Sequence, residues 1–241
     1  MKSSLSVHSL KTDIFHRQEN LFSFLERHLS SVSLEGKILA ITSKIVSLAE
    51  NRVVAKEGLS KREIVQREAD HYLCEGGFGA ELTIMHGILI PSAGIDESNS
   101  ESGDYILFPE RPFESAQAIH QFLKKTFGVK NLGVILTDSH SMPLRRGVTG
   151  ISLAHWGFKA TTSLVGQADI FKKPLKFTHV DVADSLAVMA VFVMGEADDC
   201  TPLAVISDAK VEFSESSLES EIRIEPENDL YYPLLAPYLK R

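Results

Sequence analysis

The run Val134-Ile135-Leu136-Thr137-Asp138 is the stretch that decides the fold. Its mostly branched, apolar residues predict a buried strand of an α/β sheet, because such strands are covered on both faces. Asp138 follows the apolar residues directly and is succeeded by Ser139 and His140. Ligand sites of α/β sheets collect at the carboxyl ends of the strands. The run therefore predicts a layered α/β fold with a carboxylate at its functional edge.

A second apolar run, beginning before Ile90, ends in the polar stretch from Ser92 to Asn99. Gly94 allows the backbone to turn without a Cβ penalty, and oxygen ligands follow from Asp96 onward. Proteins hold Mg²⁺ with one or two carboxylates, and substrate phosphates complete its octahedron. Asp138 is the best partner for Asp96, so we expect the two loops to meet.

The remaining chain alternates between helical and strand patterns. Leu21, Leu25 and Leu29 at i+4 spacing predict an amphipathic helix, and His86-Gly87 predicts a tight hairpin turn. The capping box from Ser60 to Glu63 predicts a helix that runs to about Leu73. Further helices are predicted from Ser43, over Pro112 to Phe127 and over Ala183 to Met194, and strands over Lys37 to Thr42, Arg52 to Val54, Leu82 to Met85, Ile88 to Ile90, Tyr105 to Phe108, Leu175 to Val182 and Leu203 to Ile206.

Several charged residues lie where they could contact an anion or a cation. Arg145 and Arg146 suit phosphate or carboxylate groups, although an ordinary surface pair fits them equally well. Lys44 follows a strand and could pair with phosphate or simply be solvated. The acids after Gly195 lie at a helix C-terminus, where the helix dipole disfavours them, so either a cation or a solvated loop would explain them. These acids are Glu196, Asp198 and Asp199.

Composition narrows the class of protein. The chain has 241 residues and a net charge of -7, which argues against nucleic acid as a general partner. No apolar run approaches the roughly 20 residues of a membrane span, and the N-terminus lacks a secretory pattern. Cys74 and Cys200 lie far apart without metal-ligand spacing. We expect a cytoplasmic protein with free thiols and no membrane contact.

Taken in order, these motifs resemble those of the coenzyme F420:γ-glutamyl ligase family, where F420 is a deazaflavin coenzyme. The resemblance covers about Val7 to Ile206. Its blocks are Thr42-Ser43-Lys44-Ile45-Val46-Ser47, Ala93-Gly94-Ile95-Asp96-Glu97-Ser98-Asn99, Thr137-Asp138-Ser139, Arg145-Arg146-Gly147 and Met194-Gly195-Glu196.

The resemblance implies an α+β fold in two parts that pairs as an intertwined homodimer. It also implies a GTP- or ATP-dependent ligase that joins L-glutamate to an acceptor carboxylate through an acyl phosphate, with Mg²⁺ or Mn²⁺. The metal would be held by Asp96, Asp138, Ser139 and Glu196. The nucleotide would be lined by Ser43, Lys44, Asn99, Met194, Gly195 and Asp198. Arg145 and Arg146 would hold the acceptor or the acyl phosphate.

The acceptor is the least fixed part of this interpretation. The chain is most similar to the branch of the family assigned to folate metabolism, which favours a reduced folate over F420-0. The family usually carries a second lysine in the helix after Ser43, where this chain has Leu48. We expect residues 1–210 to form the ligase domain, in two unequal lobes, and residues 211–241 to form an acidic tail docked on the body or on a partner subunit.

Two other functions share these residues. A metal-dependent hydrolase could use the same carboxylates, but Asp138, Ser139 and His140 are adjacent and cannot adopt the geometry of a triad. A non-catalytic nucleotide-binding protein would not need Asp96, Asp138 and the arginine pair intact. The histidines lack the spacing of a zinc site.

Overall fold

The computed structural model describes residues 4–239. Its strands are β1 (Ser6–Leu10), β2 (Lys37–Thr42), β3 (Val53–Val54), β4 (His71–Glu75), β5 (Glu81–Met85), β6 (Ile88–Pro91), β7 (Tyr105–Ile106), β8 (Leu132–Ser141), β9 (Val148–Trp156), β10 (Thr161–Ser163), β11 (His179–Asp181) and β12 (Leu203–Ser207). Its α-helices are α1 (Leu21–Leu29), α2 (Ser43–Ala49), α3 (Lys61–Glu68), α4 (Pro112–Phe127), α5 (Val182–Met194) and α6 (Tyr232–Leu239).

A five-stranded mixed sheet in the order β1-β12-β2-β8-β9 lies at the centre. β2 and β8 are parallel, and the other neighbours are antiparallel. Leu39 and Ile41 point to one face, where α1, α2 and α4 pack, while Ile38 and Ala40 point to the other face and contact α5. This alternation follows from the period of two along a strand. The mixed α/β class predicted from sequence is confirmed.

A smaller antiparallel sheet in the order β4-β5-β6 packs beside α3 and joins the same core. His86 and Gly87 connect β5 to β6 with φ values of 51° and 71°. Positive φ at both positions is the geometry of a type I′ hairpin. The predicted hairpin is confirmed, and it places the following loop, which contains Asp96, against the central sheet.

Several predicted element bounds were wrong, among them the following two. The capping box at Ser60 is present, but α3 ends at Glu68, and the chain continues as β4, whose Leu73 is buried against the small sheet. The strand predicted over Leu175 to Val182 is confined to β11. In both places the tertiary partner, and not the local pattern, decides where the element ends.

The segment after residue 210 lies against the body. The Oγ atom of Ser217 accepts a hydrogen bond from the Gly157 backbone N–H at 3.1 Å. The Arg223 guanidinium lies 5.2 Å from the centre of the Phe113 ring, a cation–π contact. Among the residues described, no helix is long and apolar enough to cross a membrane.

Candidate functional site

The candidate site lies where the parallel pair β2 and β8 ends. The last paired residues are Thr42 and Thr137, so Ser43 and Asp138 leave the pair at the same edge. β8 does not stop there, as the sequence predicted, but continues to Ser141 with β9 as its only partner. Asp138 is therefore held on a strand, which positions its carboxyl more firmly than a loop would.

A cavity of about 680 Å³ opens at this edge. Its size falls within the range of small-molecule sites, roughly 300 to 1,000 Å³. Five segments of the chain form most of its wall, and they are separated widely in sequence. The lining residues lie within residues 12–15, 42–48, 96–101, 137–139 and 191–202, and Val148 adds to them.

Asp96 is fixed by contacts to both of its carboxylate oxygens. Oδ1 accepts hydrogen bonds from the backbone N–H of Ser98 at 2.7 Å and from its hydroxyl at 2.9 Å. Oδ2 lies 2.6 Å from the Lys44 ammonium. Burial opposes ionisation of this carboxyl, but Lys44 and Ser98 outweigh it and hold its pKa below the usual range. Asp96 is therefore a carboxylate at neutral pH.

The pKa of Asp138 is shifted in the opposite direction. Burial raises its pKa to about 7, and the negative charges of Asp96 and Glu196 add to the effect, while the Ser139 backbone N–H and Lys44 oppose it. Part of the side chain remains accessible from the cavity. Carboxylates that repel one another at one site are stabilised by a shared cation. A cation in the cavity would offset this repulsion.

The loop after α5 closes the cavity from the other side. Gly195 has a φ of 80°, and a Cβ there would lie 2.2 Å from the Asp199 carboxylate, so the position requires glycine. The Thr201 hydroxyl donates a hydrogen bond to the Met194 carbonyl. These contacts fold the loop back on the helix end and direct Glu196 and Asp198 to the cavity.

Two carboxylates at the cavity could serve as ligands of Mg²⁺ or Mn²⁺. Within residues 4–239, no group of three or more His, Cys, Asp or Glu side chains could hold a metal ion by itself. Two carboxylates facing a cavity that admits a phosphate are nevertheless the usual donors for Mg²⁺, which keeps waters and substrate oxygens as its other ligands. Asp96 and Asp138 fit such an ion.

Most of the residues predicted from sequence line this cavity. They are Lys44, Asp96, Asn99, Asp138, Ser139, Met194, Gly195, Glu196 and Asp198. Ser43 is not among them, because it is buried at the beginning of α2. Arg145 and Arg146 lie at the exposed tip of the β8–β9 hairpin, outside the cavity wall. The structure brings Val148, just beyond them, to the wall.

Sequence reasoning missed the N-terminal part of the wall. Thr12, Asp13, Ile14 and Phe15 line the cavity because β1 pairs with β12 at the far edge of the sheet and the chain then crosses the site. This segment has no periodic pattern and no motif, so no signal marks it in the sequence. A hydrogen bond from the Thr12 backbone N–H to the Cys200 carbonyl, 2.9 Å long, ties it to the loop after α5.

Comparisons with known proteins identify the family of the chain. The sequence model of the family described as F420-0:Gamma-glutamyl ligase matches residues 9–208. A coenzyme F420:L-glutamate ligase of Methanocaldococcus jannaschii is 32% identical over an alignment of 245 positions, gaps included, that covers 94% of this chain and 97% of the relative. The protein of the same name from Methanopyrus kandleri is 32% identical over 195 residues, with 74% and 77% covered. The chain belongs to the F420-0:Gamma-glutamyl ligase family.

Proposed function

We propose that the protein is a nucleotide-dependent γ-glutamyl ligase that joins L-glutamate to an acceptor carboxylate through an acyl phosphate. The observation that carries the proposal is the carboxylate pair Asp96 and Asp138, which faces a cavity of about 680 Å³ in a chain of this family. GTP and ATP are both candidates for the phosphoryl donor, and Mg²⁺ and Mn²⁺ for the metal.

The proposed reaction has two steps. An oxygen of the acceptor carboxylate attacks the γ-phosphorus, and the bond to the nucleoside diphosphate breaks, which yields an acyl phosphate. The glutamate amine then attacks the acyl carbon, inorganic phosphate leaves, and the amine loses a proton as the amide forms. A divalent ion would neutralise the charge that develops on the phosphate oxygens. The protein needs no nucleophilic side chain for either step.

The residues of the chain serve mainly to position and to balance charge. Asp96 and Asp138 would hold the metal, with Ser139 and Glu196 beside them on the cavity wall. Lys44, Asn99 and the segment Met194 to Asp198 would contact the nucleotide. Holding reacting groups in line supplies a large part of the rate gain in phosphoryl transfer.

Arg145 and Arg146 are proposed to bind the acceptor at the mouth of the cavity. Both side chains are exposed and form no salt bridge within residues 4–239. Val148, two residues further on, lines the cavity. A guanidinium fork can hold the carboxylates or phosphates of an acceptor that extends beyond the nucleotide.

The names of the relatives change the acceptor that we propose. Their names give coenzyme F420 and give no support to a folate. We therefore propose F420-0 or a close analogue as the acceptor. Reduced folate, favoured by the branch resemblance, becomes the comparison substrate in the assay.

We also propose that the chain pairs with a second copy. Large apolar side chains are exposed on the outer face of α5, in the excursion around β10 and β11 and at the β8–β9 tip. They are Leu144, Ile170, Phe171, Phe177 and Phe192, each at least 75% exposed. Monomeric proteins seldom leave so many such side chains in water.

We also propose that residues 1–210 form a ligase domain and residues 211–241 a tail. The end of the family match at residue 208 supports this division.

The test is a mass-spectrometric assay of the purified protein with L-glutamate, GTP or ATP, Mg²⁺ or Mn²⁺, and either F420-0 or a reduced folate. We expect F420-0 to gain the mass of one glutamyl residue, with release of nucleoside diphosphate and phosphate. The same gain with folate alone would replace the acceptor and keep the reaction. Nucleotide hydrolysis without any amide product would favour a hydrolase and refute the ligase.

A further inference from the structure

Lys44 occupies an unusual position for a nucleotide-binding lysine. It is the second residue of α2, and its ammonium lies 2.6 Å from Oδ2 of Asp96 and 3.1 Å from the Ser98 hydroxyl. Only 21% of the side chain is exposed. The ammonium therefore binds one of the two carboxylates to which the metal is assigned, on the oxygen that Ser98 leaves free.

A divalent ion and this ammonium compete for the same oxygen. Mg²⁺ binds carboxylate oxygens at roughly 2.0 to 2.1 Å in an octahedron that leaves little room for another cation. Two cations at one carboxylate oxygen would also repel each other strongly inside a protein cavity. The metal can bind Oδ2 of Asp96 only if the ammonium moves away.

We propose that the Lys44 ammonium competes with the metal for the Asp96 carboxylate. Without metal, the ammonium binds Asp96. When the metal binds, the ammonium moves to the phosphates of the nucleotide. The lysine stem is flexible and has four carbons, so its ammonium can change partner while α2 stays in place. Lys44 and Asp96 both line the cavity, so the new partner is within the same space. This inference rests on the proposed metal and nucleotide site.

The exchange links the two ligands. A nucleotide phosphate that attracts the ammonium frees Asp96 and strengthens metal binding, and by linkage the metal strengthens nucleotide binding by the same factor. Coupling between sites typically amounts to about 5- to 150-fold in affinity. Lys44 is thus a positioning residue that makes the two ligands bind together.

The neighbouring Lys56 offers a matched control. Its ammonium lies 3.0 Å from Oε2 of Glu97, next to Asp96 in sequence, but the side chain is outside the cavity wall. Lys44→Met and Lys56→Met remove the same charge from nearly the same region. They differ in whether the lost ammonium held Asp96.

The experiment measures Mn²⁺ binding to the full chain without nucleotide, from the loss of the electron paramagnetic resonance signal of free Mn²⁺. Thermal melting checks that each variant folds, and Lys44→Gln serves as a second variant. We expect Mn²⁺ to bind Lys44→Met and Lys44→Gln about 10-fold tighter or more than the wild type, and Lys56→Met within about 2-fold of it. Adding a non-hydrolysable GTP analogue should tighten Mn²⁺ binding by a larger factor in the wild type than in Lys44→Met, where only the phosphate oxygens contribute.

Unchanged or weaker binding by both Lys44 variants would overturn the competition while leaving the metal site intact. Equal tightening in Lys56→Met would overturn it as well, because a general charge effect would explain the result. Absence of Mn²⁺ binding in the wild type and in the variants would instead refute the proposed metal site, and the competition with it.

Discussion

Asp184 gives the clearest quantitative prediction. It lies in the first turn of α5, and its Oδ1 atom accepts a hydrogen bond from the Ser152 backbone N–H of β9 at 2.8 Å. Burial raises its pKa to about 7, and the nearby Asp181 carboxylate adds to the effect. The folded protein therefore prefers the neutral acid at this position.

The sign of the pH dependence follows from linkage. A pKa raised from 3.8 to about 7 contributes stability in full below pH 3.8, and this contribution is lost as pH rises through about 7. Three pKa units correspond to about 4 kcal/mol, of which about two units fall between about pH 5 and pH 8. Because the side chain is partly exposed, we halve the effect to about 1 kcal/mol over that interval.

Asp184→Asn removes the charge, and the amide oxygen of asparagine can still accept the hydrogen bond from the Ser152 backbone N–H. Relative to the wild type, we expect the variant to be about 1 kcal/mol more stable at about pH 8 than at about pH 5. Urea unfolding at both pH values measures this difference. Asp208→Asn makes the same change in charge at an exposed site. It should change the free energy of unfolding by the same amount at both pH values. An Asp184→Asn effect that is equal at both pH values, or smaller at the higher one, would refute the raised pKa.

Three further outcomes are expected. Asp138→Asn should abolish ligation, by about 1,000-fold or more, and keep the fold, as checked by product mass and circular dichroism; full activity would remove its metal role. Gly150→Ala should lower the free energy of unfolding by about 1 to 3 kcal/mol in urea titration, because its Cβ would lie 2.5 Å from the Ala187 carbonyl oxygen; an unchanged midpoint would mean that α5 shifts freely. Arg145→Ala and Arg146→Ala should each raise KM for the acceptor about 10-fold and leave that for the nucleotide unchanged; the reverse pattern would place them at the phosphates.

Three strands of the central sheet, β2, β8 and β12, and the acidic pair could be predicted from sequence because they follow from local patterns. An apolar run followed by an acid marks Asp138, and a strand followed by a glycine turn marks Asp96. The element bounds that were wrong depend on partners far along the chain, such as β5, which turns the residues after Glu68 into a strand. The N-terminal wall depends on the pairing of β1 with β12, which no local pattern reveals.

Only some residues of α2 line the cavity, and Ser43 is not one of them. Lys44, Ile45 and Leu48 line the cavity, whereas Ser43 and Ser47 are buried on the other side of α2. Positions i and i+4 share one face of a helix, so a cavity-facing Lys44 implies a cavity-facing Leu48, and Ser43 and Ser47 form a second pair on another face. Leu48 stands where the family usually has a second lysine, and the structure brings this apolar side chain to the cavity wall. Lys44 is thus the one lysine that α2 presents to the cavity, and the proposed exchange between Asp96 and the phosphates has no second lysine in this helix to replace it.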